Sequence, residues 1–177
     1  MIRFAPLAAL LLSACTTMPG PTPPAERVAY NTNSWGRVVS GWVVGSNGAG
    51  TCYERVNDSG QPGPIGPYRL LHHDIEVGEA GFAELEALLA GLPDPVPNPS
   101  DCVQFRTDDL YGTLRRTSGS TTEEIAYNQG CRDASYQRFM AQLLAADALV
   151  AGWGKASPVI RTERYGSDGA PQPDQNN

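Results

Sequence analysis

The residues able to do chemistry are few. They are four cysteines (Cys15, Cys52, Cys102, Cys131), two adjacent histidines and scattered carboxylates. His72-His73-Asp74 is the most reactive-looking run, because a histidine beside a carboxylate can act as a general base. On a strand, however, neighbours point to opposite faces, so His73 and Asp74 would diverge while His72 and Asp74 share a face. The pair His72 and Asp74 therefore reads as a polar cluster on a sheet surface. Asp108-Asp109 reads as a turn between strands, and neither it nor Glu123-Glu124 sits in the spaced oxygen-ligand run that calcium requires. There is no Gly-x-Ser-x-Gly elbow for a serine nucleophile. The loop Gly45 to Gly50 (GSNGAG) lacks the Lys-Ser/Thr ending of a phosphate-binding loop. Three scattered cysteines and a His pair do not give the four-ligand spacing of structural zinc. The expectation is a protein without metal or cofactor, and not an enzyme.

The fourth cysteine has a different chemistry. Arg3 is the only charge before Glu26, and Phe4 to Ala14 is apolar apart from Pro6 and Ser13. Eleven helical residues rise roughly 16 Å, about half of a hydrocarbon core of about 30 Å. The segment is thus too short to span and has the build of a secretory signal. At its end stands Leu12-Ser13-Ala14-Cys15, which resembles the lipobox of bacterial lipoproteins. The resemblance implies a diacylglycerol thioether on Cys15, cleavage after residue 14 and acylation of the new N-terminus. A cysteine suits this because its thiolate is readily alkylated. Several acyl chains anchor where a single chain cannot. Thr16, where Asp would favour inner-membrane retention, implies outer-membrane sorting with the domain facing the periplasm.

Residues 15–27 follow as a lipidated N-terminus and tether with Pro19, Pro21, Pro23 and Pro24. The twelve residues 16–27 reach up to roughly 37 Å. The tail 166–177 (GSDGAPQPDQNN) is polar and rich in helix and strand breakers, so it is expected to be disordered. Residues 28–165 remain as one domain. The formal net charge of the chain is −6. That acidity argues against nucleic acid, which needs a basic patch, and against electrostatic adhesion to anionic lipid.

The pattern along the domain is strands punctuated by two helices. Trp35–Gly45, Thr51–Val56 and Tyr68–Val77 read as strands from their β-branched and aromatic residues. In the last, Leu71, His73 and Ile75 share one face. Glu79–Leu92 carries Phe82, Leu85, Leu88, Leu89 and Leu92 at helical spacing. Asp101–Thr107 reads as a strand with Val103 and Phe105 on one face. Leu110–Thr117 and Thr122–Asn128 flank Ser118-Gly119-Ser120, a hairpin signal. Asp133 is placed to cap a second helix with Tyr136, Phe139, Met140, Leu143 and Leu144 as its stripe. Val159–Tyr165 is a closing strand. This order predicts an α+β fold, a single two-layer domain with an antiparallel sheet and two helices packed on one face.

The second half, from "SDCVQFRTDD" through "IAYNQGCRD" to "LLAADALVAGW", resembles a family of small uncharacterised domains found in bacterial envelope lipoproteins. Thr107, Asp108, Tyr127, Gly130 and Cys131 carry the likeness, which spans about residues 41–153. It implies a Cys102–Cys131 disulfide and brings no activity with it. The residues alone leave the pairing open. Lipidation of Cys15 leaves three cysteines in an oxidising compartment, hence one disulfide and one spare thiol. A bond between Cys102 and Cys131 would tie a strand to the second helix; a pair involving Cys52 is the other arrangement. If spare, Cys52 is a small buried hydrophobe or an oxidisable thiol.

Taken together, these features predict a lipid-anchored envelope protein whose domain is a non-catalytic binding or structural module. Its partners would be the membrane, through the anchor, and an envelope protein or glycan. The alternatives are a periplasmic inhibitor of a protease or other hydrolase, using the loop Gln61–Pro67, and a hydrolase using His72.

Overall fold

A computed structural model of the chain describes residues 24–173 apart from 59, 61, 62 and 64. Cys15 and most of the tether lie outside the described residues, as does part of the loop Gln61–Pro67.

Eight strands form one antiparallel sheet in the order β6-β5-β1-β2-β3-β4-β7-β8. They are β1 (Arg27–Ser34), β2 (Arg37–Gly45), β3 (Ala49–Asn57), β4 (Tyr68–Glu76), β5 (Tyr111–Ser118), β6 (Thr121–Asn128), β7 (Val159–Tyr165) and β8 (Pro171–Gln172). Helix α1 (Gly78–Leu89) follows β4, and α2 (Ala134–Lys155) follows β6. The domain is therefore α+β.

Register shows which side chains meet. Tyr30 stands opposite both Trp42 and Leu114, Trp42 opposite Cys52, and Cys52 opposite His73. Directly opposed residues share a face, so these five residues project together. Helix α2 lies against them: the Trp42 indole N–H donates to Asp147 Oδ1 at 2.9 Å. Helix α1 packs on α2, and its Glu86 meets Arg116, which stands opposite Val28. The core is continuous from Val28, Val44 and Leu114 to Leu85 of α1 and Phe139 and Leu143 of α2. Each such apolar side chain contributes about 1.5–3 kcal/mol on burial.

Five features differ from the sequence reading. The first strand is β1, and Trp35-Gly36 is the turn after it. Val28, Tyr30, Thr32 and Ser34 alternate inward, but two of the four are hydroxyl residues, which masks the period-two signal. Arg27 opens β1 and Ala25 is buried, so the domain begins before residue 28. Asp101–Thr107 is not a strand. A short 3-10 turn (Pro99–Asp101) leads into an irregular loop whose only ladder contact is an isolated bridge from Phe105 to Cys131. Val103 and Phe105 are exposed, because the segment is held by polar and covalent ties rather than by a sheet face. Residues 166–172 turn back, and β8 pairs with β7. Leu144 is also exposed and lies off the buried stripe of α2.

Candidate functional site

His72 and Asp74 are not brought together as a working pair. Asp74 is exposed and, among the described residues, makes no ion pair. The carboxylate that reaches His72 belongs to Glu163 of β7, with Oε1 3.4 Å from Nε2. On the other ring nitrogen, Arg161 Nη2 lies 3.1 Å from Nδ1. Guanidinium only donates, so Nδ1 accepts and the ring is the neutral tautomer protonated on Nε2. Burial first, then the Arg161 charge, lower the His72 pKa against the opposing pull of Glu163. The lone pair that a general base would use is occupied by Arg161.

Cys102 and Cys131 form a disulfide with Cα atoms 5.7 Å apart, and Cys52 is a buried free thiol. The bond does not act alone. Asp133, at the N-cap position of α2, makes no side-chain cap there. Its carboxylate instead accepts the Val103 N–H at 2.8 Å and the Gln104 N–H at 2.9 Å. Arg106 N–H donates to the Gly130 carbonyl at 2.8 Å, and Arg132 N–H to the Gln104 carbonyl at 2.7 Å. A Cβ at Gly130 would collide with the Arg106 carbonyl, so a glycine is needed for this approach. The loop 102–106 is thereby sewn to the segment that enters α2.

That loop carries one wall of an open groove. Asp109 anchors its far end by accepting hydrogen bonds from Arg106, Arg132 at 2.7 Å and its neighbour Leu110 N–H at 3.1 Å. Burial would raise the Asp109 carboxyl, but these donors and the two arginine charges hold it below the usual carboxylate range. Phe105 then lies beside Trp35 and Tyr111 around a cavity of about 370 Å³, with Asp108 and Asn128 at its polar side. A second cavity of about 610 Å³ shares Phe105, Tyr111 and Asn128 and continues towards Asn31 and Asn33.

Trp35 is the most unusual residue of this groove. It is 62% exposed, and its φ is +52°. With Gly36 at φ +72° it makes a two-residue hairpin turn with both residues left-handed. Such turns favour Asn-Gly or Asp-Gly, and a bulky residue there is strained. The turn is fixed from below, since Gly36 N–H donates to the Tyr111 hydroxyl at 3.0 Å. A bulky ring in this place costs stability through its backbone conformation. In the sequence, Trp35-Gly36 runs straight into the apolar residues of β2, so strand-like composition hides the turn.

Comparison with family models, with curated proteins and with solved structures found no match.

The groove thus offers three aromatic side chains, an acidic residue and several amides on one open surface. Flat rings give contact area with little conformational entropy to lose. Amides and carboxylates bind hydroxyls by directed hydrogen bonds. Beneath the groove the scaffold is rigid: the Tyr127 hydroxyl contacts Thr32 Oγ1 at 2.7 Å and donates to the Asn31 carbonyl at 2.9 Å. Tyr127 also stacks on Tyr30, ring centroids 5.3 Å apart. Burial raises the pKa of both hydroxyls, that of Tyr30 to about 12. Both stay protonated, and that of Tyr127 serves as a structural donor.

Proposed function

We propose that this protein is a lipid-anchored module of the bacterial envelope that binds glycan through the groove of Trp35, Phe105 and Tyr111. The anchor reading rests on Leu12-Ser13-Ala14-Cys15 and the proline-rich stretch after it. The binding reading rests on one observation above the others: an exposed tryptophan is kept at a turn position whose conformation favours asparagine. Strain of this kind persists when the surroundings enforce it, and it clusters at binding sites. A sugar ring presents apolar C–H faces and equatorial hydroxyls. The groove presents aromatic faces beside Asp108, Asn128 and the amides of Asn31 and Asn33. A tether of the length expected here would let an anchored domain reach a polymer lying away from the bilayer.

Two experiments test the two halves separately. Labelling with a palmitate analogue, with Cys15→Ala as control, tests the anchor; label that persists in the variant contradicts it. Co-sedimentation of the protein with purified cell-wall glycan tests the groove; no sedimentation of the wild type contradicts it.

A further inference from the structure

On the face of the sheet that meets α2 lies a second, smaller cavity of about 240 Å³. It is separate from the groove and shares no lining residue with it. Its walls come from two sources. Ser40, Trp42, Cys52, Glu54 and His73 come from β2, β3 and β4, where register places Ser40 opposite Glu54 and Cys52 opposite His73. Asp147, Ala151 and Lys155 come from α2. Their spacing of four residues sets them along one strip of the helix.

Two polar groups set the chemistry of this cavity, His73 and Asp147. His73 is only 6% exposed. Its Nδ1 lies 2.9 Å from the Ser157 carbonyl oxygen. A carbonyl can only accept, so Nδ1 carries the proton and Nε2 presents a lone pair. Nε2 is buried and has no hydrogen-bond partner. Asp147 accepts one hydrogen bond, from the Trp42 indole. Burial raises its pKa, with the Trp42 hydrogen bond and the Lys155 charge opposing. The remaining charges are a rim pair, Lys155 Nζ and Glu54 Oε2, 3.7 Å apart. Pairing these two leaves the Asp147 carboxylate as the unbalanced charge and the His73 lone pair as the unused acceptor. The lone pair calls for a donor, and the charge calls for a cation. The buried His73 Nε2 without a donor costs about 1–3 kcal/mol, so an occupant supplying one is favoured.

We propose that this cavity binds a small organic ammonium ion. The cation neutralises Asp147, one N–H reaches His73 Nε2, and a short apolar tail lies against Trp42 and Ala151. An alkali ion matches the charge but is an oxygen-seeking ligand, and it would leave the imidazole and the apolar walls unused. The cavity is below the usual range for drug-sized ligands, which limits the occupant to a few non-hydrogen atoms.

The test uses the full chain purified in detergent micelles, titrated with n-propylammonium and followed by the ¹⁵N–¹H resonance of the Trp42 indole, assigned with Trp42→Phe. A saturable shift is expected, at least about tenfold tighter than for 1-propanol or propionate. KCl at the same concentrations leaves the resonance in place. Asp147→Asn weakens propylammonium binding by about tenfold or more. Ala151→Leu, which fills the cavity and keeps the carboxylate, abolishes it and covers the case in which Asp147→Asn does not fold. Equal binding of 1-propanol, equal competition by K⁺, or unchanged affinity in Ala151→Leu would each overturn the proposal.

Discussion

Gly154 of α2 packs directly on the thiol of Cys52 in β3: a Cβ at position 154 would overlap Cys52 Sγ. Inside an exposed helix, Gly→Ala gains up to about 1 kcal/mol. Here the sign reverses. Gly154→Ala is expected to destabilise the domain by about 1–3 kcal/mol, the usual range for overpacking. Because the obstacle is one sulfur atom, Cys52→Ala in the same chain should restore most of the loss. Urea midpoints of the four members of this cycle give the coupling energy. An additive double variant would place the strain elsewhere.

The disulfide closes a loop between residues 29 apart in sequence. The chain-entropy relation gives about 3.6 kcal/mol for such a loop, a substantial share of a stability of about 5–15 kcal/mol. Replacing Cys102 and Cys131 by Ala should lower the urea midpoint accordingly. It should also free the loop 102–106, and with it Phe105, so glycan affinity falls in the variant even under conditions where it remains folded. Retained affinity would show that Asp133 and the backbone bonds alone position that wall.

His72 gives the domain a pH dependence of definite sign. Its folded pKa lies below the ordinary value, with burial as the main cause. Between the lowered value and about 6.5, the unfolded chain binds more protons than the folded one. Stability therefore rises with pH across that window, is full above it, and is lost as pH falls through it. His72→Gln should flatten this slope in urea midpoints measured at about pH 5 and about pH 7.5. With two histidines in the chain, imidazole NMR titration assigns the group directly. A His72 titrating at or above the ordinary value would contradict the tautomer argued from Arg161.

Much of the fold was legible because its signals are local. The stripe Phe82, Leu85, Leu89 marks α1, and the hairpin Leu110–Asn128 is announced by Ser118-Gly119-Ser120. What was hidden depends on contacts between distant residues. β1 buries two hydroxyl side chains, Thr32 and Ser34, and Thr32 meets its partner Tyr127 95 residues away. The segment around Val103 and Phe105 has strand-like composition, yet a disulfide and Asp133 hold it as a loop. The same holds for the sites. His72 and Asp74 were visible as a polar pair, but only the β4–β7 pairing reveals Glu163 and Arg161 as the partners of His72. The groove needed three separated segments, at Trp35, Phe105 and Tyr111, and no spacing rule links them.

Trp35 should cost the protein stability. Trp35→Asn places a residue that tolerates the left-handed region in the turn, where Asn-Gly is preferred. It is expected to raise the stability by about 1 kcal/mol, read as a higher urea midpoint with unchanged slope. A lower midpoint would mean that the ring packs for stability.

The same variant decides the central claim. Full-length protein in detergent is incubated with purified cell-wall glycan, and the fraction that co-sediments is measured over a range of glycan concentrations. Wild type should sediment saturably, and Trp35→Asn, folded and at least as stable, should lose about tenfold or more in affinity. Equal sedimentation of wild type and Trp35→Asn, or no sedimentation of wild type, would contradict glycan binding by this groove.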